Sequence, residues 1–496
     1  MSKAQNKPNV LFLISDQHNP HVAGFAGNRI VRTQNLDRLA AESVQFDAAY
    51  CQVPLCTPSR ISMWTGRLAH RRSGWANNVP IPPEFLTIPE HFAEHGYTTC
   101  GVGKMHVSGE RPMNGFQFRP YGDLKPNCFC GHQPDPLKTA VDNAWTKHAV
   151  GRLSFAGETE IPESLLQDNI VTRESLAFIV DHTEKRLDQP WFVCASYQRP
   201  HHPLTAPGRY IRRYWPDGPD LSPLPDGYPD DLHPHDKFIV DDFNLAKVSE
   251  EERRRGLAAY YASVDFVDDC IGDLLDGLKQ EGLLDDTIVI YTTDHGDLAS
   301  EHGLWWKRSY YDGSAGVPLL IRAPGNAPGR VPQVAELLDL FPTLCELCGL
   351  PVPEHLDGES LVPLIARDAG GRRKKDFART EYIARAETTF RMLRTPKWKY
   401  VEFPEYPPVL FNMENDPDEQ RNLAGLSEHS AVMAELHARL WHDGESWESL
   451  SAKKEAARER KARELAVDRD STPNQYALPN GTVVDAEGML YGGVLE

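Results

Sequence analysis

Four short apolar runs constrain the fold of this chain more than any other feature: "NVLFLIS" from Asn9, "YTTCGVG" from Tyr97, "WFVCASY" from Trp191 and "TIVIYTT" from Thr287. Each has the length of a strand and lacks the apolar/polar alternation of a strand with one wet face, so each reads as a strand buried on both sides. Helical spacing lies between them. "TQNLDRLAAESVQF" sets Leu36, Leu39, Ala40 and Val44 at helical intervals. The stretch from Arg253 to Leu284 repeats Leu257, Tyr261, Val264, Val267, Ile271, Leu274 and Leu278 along one face of a long amphipathic helix. Strands alternating with helices predict an α/β fold with a mixed, mostly parallel sheet covered by helices on both faces.

With 496 residues the chain has room for this core and a second unit. Past about residue 370 the texture changes. "GGRRKKDF" is a charged connector, and "TFRMLRTPKWKYVEFP" and "PVLFNMENDPDEQRNLA" read as short antiparallel strands with turns. A helix around Ala431 to Leu440 completes a smaller α+β domain with an antiparallel sheet. "SAKKEAARERKARELAVDRD" is charged on nearly all faces and reads as a solvated helix or linker. The segment from Ser471, with Tyr476, Tyr491 and Leu495, has no clear period and is expected to order against a neighbouring subunit of a homo-oligomer. The expected division is 1–370, 371–450 and 451–496.

The formal charge of −18 argues against nucleic acid as a partner, and it requires that any anionic substrate meet a local cationic pocket. The N-terminal residues lack the pattern of a secretory signal, and no window reaches the length of a membrane span. A cytoplasmic protein without a membrane partner is therefore expected. Nine cysteines, scattered and odd in number, do not form a disulfide framework. Cys345 and Cys348 have CxxC spacing but lie on an apolar helical pattern and read as core; Cys128 and Cys130 are assigned no role.

Functional groups in such sheets gather at the carboxyl ends of strands. Two of the runs end in chemistry, one at Asp16-Gln17 and the other at Asp294-His295. Together they offer oxygen ligands and one nitrogen for a hard divalent cation. Arg60, Lys104, His106, His201 and Lys307 are candidates to hold the oxygens of a tetrahedral anion and to stabilise charge on a leaving oxygen. Cys56, in "VPLCTPSRISMWTGR", reads as a reactive thiol, a core residue or a precursor of something else.

Cys56 to Arg60 fits Cys-x-Pro-x-Arg, and Thr65-Gly66-Arg67 follows it. With "PNVLFLISDQ", "TQNLDRLAAESVQFDAAY", "GKMH", "RPHHP", "TTDHGD", "KRSYYDGSAGVPLLIRAPG" and "NDPDEQRNLA" in the same order, the chain resembles the type I sulfatases, formylglycine-dependent enzymes of the alkaline phosphatase superfamily. The resemblance implies the alkaline-phosphatase-like α/β fold, with residues 1–370 as the catalytic domain and a smaller C-terminal domain. It makes Cys56 the residue oxidised to formylglycine, with a formylglycine-generating enzyme as the partner in maturation. Asp16, Gln17, Asp294 and His295, together with residue 56, become the ligands of one divalent metal ion. Arg60 would orient the formylglycine, Lys104 and Lys307 would bind the ester's oxygens, His106 would hold the formylglycine hydroxyl, and His201 would sit near the leaving oxygen. Asn77 resembles a further polar substrate-binding residue.

The implied activity is hydrolysis of small anionic sulfate monoesters; the alternative is a phosphonate monoester hydrolase or phosphodiesterase using the same site. Many arylsulfatases carry aspartate where this chain has Gln17 and asparagine where it has His295. The Gln/His pairing resembles choline-sulfatase-like enzymes and phosphonate monoester hydrolases. A nitrogen ligand and one fewer negative charge make manganese a candidate beside calcium. A choline leaving group would require an aromatic or acidic cage, to which Phe116, Phe118, Tyr121 and Phe129 could contribute, although local packing is the commoner role of such aromatic residues. A scaffold that kept the fold without turnover would be expected to lack at least one of Asp16, Cys56, Arg60, Lys104 or Asp294; all are present.

Overall fold

The unbroken apolar runs are buried on both faces in the computed structural model, which describes residues 7–72, 74–77, 79–82, 84–106, 113–122, 153–185, 188–366, 373–468, 475–477 and 483–485. The main sheet is built from Asn9–Asp16 (β1), Val44–Tyr50 (β2), Thr98–Gly103 (β3), Trp191–Pro200 (β4), Thr287–Thr293 (β5), Gly316–Arg322 (β6) and Gly329–Glu336 (β7). Its strand order is β3-β4-β1-β5-β6-β2-β7. The first four of these run parallel; β6 is antiparallel to β5 and β2, and β7 returns parallel to β2. The sheet is thus mixed and mostly parallel, as expected.

The principal helices of this unit are Gln34–Ala41 (α1), Cys56–Thr65 (α2), Gln167–Lys185 (α3), Glu250–Gln280 (α4) and Leu340–Leu347 (α5). Strand alternation sends the side chains of β1 into two separate cores. Val10, Phe12 and Ile14 pack with Ile61, Met63 and Trp64 of α2 and with Leu340, Phe341 and Leu344 of α5. Leu11 and Leu13 pack with Phe178 and Ile179 of α3 and with Val264, Val267, Ile271, Leu274 and Leu278 of α4. All five β1 side chains are fully buried, and at roughly 1.5–3 kcal/mol each they hold the strand at the centre of the sandwich. Helix α4 starts at a capping box: the Ser249 hydroxyl accepts from the Glu252 N–H, and the Glu252 carboxylate accepts from the Ser249 N–H at 2.9 Å.

One expectation is corrected. The helical spacing read through Val44 overruns, because α1 ends at Ala41 and Val44 opens β2. β-branched Val44 pairs with Ile321 on one side and Gly329 on the other, so a helix carried through it would forfeit both ladders.

The second sheet is an antiparallel meander of Ala378–Tyr382 (β8), Phe390–Arg394 (β9), Trp398–Glu402 (β10) and Val409–Asn412 (β11). Ser430–Leu440 (α6) covers it, with Leu436 and Leu440 against Leu393, Tyr400 and Leu410. The charged stretch forms the helix Trp447–Asp468 (α7). Beyond it, Gln475–Ala477 pairs antiparallel with Val483–Asp485. Tyr491 and Leu495 lie outside the described residues, as do Cys128, Phe129 and Cys130. Cys345 and Cys348 are core residues, as read. Among the described residues no helix is long and apolar enough to cross a membrane.

Candidate active site

The four parallel strands end side by side, and the chain leaving each one delivers a polar group. In sheet order these are Lys104 after β3, His201 after β4, Asp16 at the end of β1 and Asp294 after β5. The β1–β5 register, Ser15 opposite Thr293, sets the two aspartates next to each other. Lys104 can follow β3 so tightly because Gly103 adopts φ +88, where a Cβ would lie 2.1 Å from the Ser196 carbonyl oxygen. Gly296 is constrained in the same way: a Cβ there would meet the Gly313 carbonyl oxygen at 2.0 Å.

Cys56 arrives from the other direction, as the first residue of the fully buried helix α2. Leu55, the residue before it, has no side chain able to cap the helix, and Asn77 does this work from a distance: its Oδ1 accepts the Thr57 N–H at 3.1 Å. The Thr57 hydroxyl lies 2.9 Å from the carbonyl oxygens of both Asn77 and His106. Asn77 and His106 therefore flank the first turn that carries Cys56. His106 is buried with φ +55.

The thiol sits among charges. Lys307 Nζ lies 2.9 Å from Cys56 Sγ, His295 Nε2 at 3.2 Å and Asp16 Oδ1 at 3.8 Å. Burial and the Asp16 charge push the thiol up, but Lys307, Lys104 and His295 outweigh them and hold it well below its usual value. Arg60, four residues along the helix, bridges the two aspartates: Nε donates to Asp294 Oδ2 at 2.8 Å and a terminal nitrogen to Asp16 Oδ2 at 3.0 Å. Its other terminal nitrogen donates to the Lys104 carbonyl at 2.5 Å and the Ser196 hydroxyl at 2.9 Å. Lys104 Nζ pairs with Asp16 Oδ2 at 2.7 Å. Burial acts to raise Asp16, and the charges of Lys104, His201, Arg60 and Lys307 overcome it, so this carboxylate is held well below its ordinary value. Asp294 is raised, first by burial and then by Asp16.

The two histidines are set by their second nitrogens. His295 Nδ1 lies 2.8 Å from the Gly296 carbonyl, so Nε2 faces Cys56; burial acts to lower this ring, and Asp294, with Cys56, outweighs it and raises it. His201 Nδ1 lies 2.7 Å from the His202 carbonyl, and its Nε2 is 3.8 Å from Asp16 Oδ1. Burial, with Lys104 and Lys307 nearby, depresses His201 to about 3 and keeps it neutral.

The donors fit a divalent ion. Asp16, Cys56, Asp294 and His295 each offer one ligand atom, all within 4.8 Å of one another. Gln17, at φ +70, gives its backbone N–H to Asp294 Oδ1 at 3.1 Å and its side-chain NH₂ to Asp297. Its Oε1 is a buried acceptor with no hydrogen-bond partner among the described residues. Such an orphan is costly unless something binds there, and oxygens with one imidazole suit calcium or manganese. Three buried cations, Arg60, Lys104 and Lys307, face two buried carboxylates, Asp16 and Asp294. Inside a chain of charge −18, this is the local cationic pocket that an anionic ester requires.

The aromatic residues after Lys104 take the packing role that such residues commonly have. Phe116 is fully buried against Trp64 and Phe192, with centroids at 5.7 and 6.3 Å, and Phe118 packs on Phe178 at 5.5 Å. Tyr121 also lies in the core, so these three pack the sandwich and form no cage. Sequence reasoning passed over Thr57, Ser196 and Asp297. For Asp297 a signal was present in "DHGD", two residues beyond His295.

A mixed sheet with a cationic cluster at its parallel strand ends, a smaller antiparallel sheet and a cysteine at a helix N-terminus fit a sulfuric ester hydrolase, the class to which the relatives of this chain assign it. The chain belongs to the sulfatase family, whose profile matches residues 8–350. A second profile, "N-sulphoglucosamine sulphohydrolase, C-terminal", matches residues 300–446. Among relatives, the chain is 33% identical to a choline-sulfatase of Rhizobium meliloti over 93% of this chain and 91% of that one. It is 31% identical to an arylsulfatase of Clostridium perfringens, over 85% and 91% respectively. The fold is shared with a phosphonate monoester hydrolase of Agrobacterium radiobacter, at TM-score 0.75 and 24% identity over 97% of this chain and 99% of that chain.

Proposed function

We propose that the protein hydrolyses sulfate monoesters with a formylglycine hydrate derived from Cys56, at one divalent metal ion held by Asp16, Gln17, residue 56, Asp294 and His295. The observation that carries this reading is the setting of Cys56 Sγ, 2.9 Å from Lys307 Nζ and 3.2 Å from His295 Nε2 within a cluster of metal donors. That sulfur stands where an oxygen of the hydrated aldehyde would be. A bound divalent ion would make such an oxygen more acidic and draw charge from the ester. The aldehyde hydrate, with two hydroxyls on one carbon, supplies both a nucleophile and an internal route back to the aldehyde, which a thiol or single hydroxyl lacks.

The chain's own residues then have defined tasks. Arg60 fixes Asp16 and Asp294 and so the geometry around residue 56. Lys307 and Lys104 donate to the ester's non-bridging oxygens and stabilise charge as it grows. His106 holds the hydroxyl of residue 56, and Asn77 supports both the substrate side and the first turn of α2. His201, its Nδ1 against the His202 carbonyl, sits near the leaving oxygen. The likeness to a choline-sulfatase makes small alkyl sulfates, choline sulfate among them, the first substrates to test. Hydrolysis of phosphonate monoesters or phosphodiesters at the same site is the second reading, and the Gln17/His295 pairing is shared by both. Maturation by a formylglycine-generating enzyme, a cytoplasmic location and a homo-oligomer belong to the same proposal.

A panel of aryl sulfates, alkyl sulfates, phosphodiesters and phosphonate monoesters, ranked by kcat/KM on matured enzyme, tests the substrate class. Sulfates should lead. Phosphonate or diester turnover exceeding every sulfate would replace the first reading with the second.

A further inference from the structure

Asp297 is fully buried and is used by none of the steps above. Its Oδ1 accepts two backbone N–H groups, from Ala299 at 2.7 Å and Trp306 at 3.0 Å, and its Oδ2 accepts the Gln17 side-chain NH₂. A carboxylate only accepts, whereas a glutamine amide has one accepting end and one donating end that are nearly the same shape. Asp297 therefore selects which end of Gln17 faces it. The NH₂ turns to Asp297, and Oε1 is left as the orphaned acceptor. The rest of Gln17 is pinned as well, since Asp294 takes its N–H and the Tyr260 hydroxyl donates to its carbonyl at 2.7 Å.

We infer that Asp297 is the positioning residue that locks the Gln17 amide with its oxygen toward the metal and, through the Trp306 N–H, ties that ligand to the segment carrying Lys307. The inference rests on the metal site proposed above. It makes a definite statement about amide chemistry. In Asp297→Asn the two backbone N–H groups still require the carbonyl oxygen, so the new NH₂ faces the Gln17 NH₂. Gln17 then turns over and presents a donor to the cation. Glutamate at 17 would suit an asparagine at 297, giving one oxygen to its NH₂ and the other to the ion, whereas beside Asp297 it would face another carboxylate.

The test is a double-mutant cycle on the full-length chain, stripped with a chelator and titrated calorimetrically with manganese and, separately, calcium. Asp297→Asn should weaken binding by about 10–100-fold, the range for groups that orient a metal ligand. The preference at 17 should then invert: glutamine binds tighter than glutamate with Asp297, and glutamate binds tighter than glutamine in the D297N background. An Asp297 with only a structural role would lower the melting temperature without inverting that preference. Should Asp297→Asn fail to fold alone, Gln17→Glu compared with Q17E/D297N still decides, because the second change must restore binding. Wild-type affinity in D297N, or the same preference at 17 in both backgrounds, overturns this inference alone. Failure of the wild-type chain to bind either ion overturns the metal reading and this inference with it.

Discussion

Among the clusters of buried charge in this protein, two make an instructive pair, one at the parallel strand ends and one between the main sheet's unit and the small sheet. At the second, His70 Nδ1 meets Glu381 at 3.1 Å, Trp75 donates to the same carboxylate at 3.1 Å, and Arg391 reaches Glu381 at 3.4 Å and Asp443 at 2.6 Å. Arg379 also pairs with Asp443, at 3.2 Å. Two arginines thus balance two carboxylates. At the strand ends Arg60, Lys104 and Lys307 surround Asp16, Asp294 and a thiol held well below its usual value, and among the described residues the Gln17 oxygen has no partner. Burial and charge are common to both clusters. What separates them is that the strand-end groups converge on a nucleophile within a set of possible metal donors, whereas the others pair across two parts of the fold.

Substitutions should divide along that line. The largest effect is expected at the balanced cluster: Glu381→Ala strands Arg391 and His70 and should cost about 3–5 kcal/mol of stability by chemical denaturation. Turnover per folded molecule should persist. Lys307→Ala should do the reverse, lowering kcat by roughly 10²–10³-fold while the denaturation midpoint holds, because Lys307 Nζ contacts Cys56 Sγ and His295 and its loss breaks no carboxylate ion pair. A midpoint collapse in Lys307→Ala would erase the distinction.

Acid should probe the balanced cluster next. Burial acts to raise Glu381, but the charge and hydrogen bonds of His70, with Arg391, overcome it and hold the carboxyl below its ordinary value of 4.5. Its stabilisation is therefore complete above pH 4.5 and is lost as pH falls toward the depressed folded value. Denaturation profiles of wild type and Glu381→Gln should converge at low pH and diverge above it. The smallest effect is expected at Asn77→Ala, which removes the distant cap of α2: about 1 kcal/mol of stability, with kcat falling because the first turn carries residue 56.

The strand ends were legible in the sequence because a strand buried on both faces leaves an unbroken apolar run, and the residue that stops the run is the one delivered to the sheet edge. Asp16 and Asp294 were found in that way, and Lys104 and His201 by the same logic. Val44 misled because a β-branched residue one turn past a helix keeps the helical spacing. Phe116 and Phe118 read as local packing more readily than as a cage, and their rings lie inside the sandwich. Asn77 was nominated for substrate, and its capping of α2 depends on a contact across 20 residues. Asp297 stands in plain view in "DHGD", but its role was hidden, because its partner is a glutamine amide whose orientation no spacing encodes.

The central claim is that residue 56 acts as formylglycine. Preparations expressed with graded amounts of the maturing enzyme can be assayed for sulfate ester turnover, with the formylglycine fraction at position 56 read by peptide mass. The account predicts specific activity proportional to that fraction, with a line through the origin and no turnover in Cys56→Ala. Activity independent of the fraction, or retained in Cys56→Ala, would contradict it.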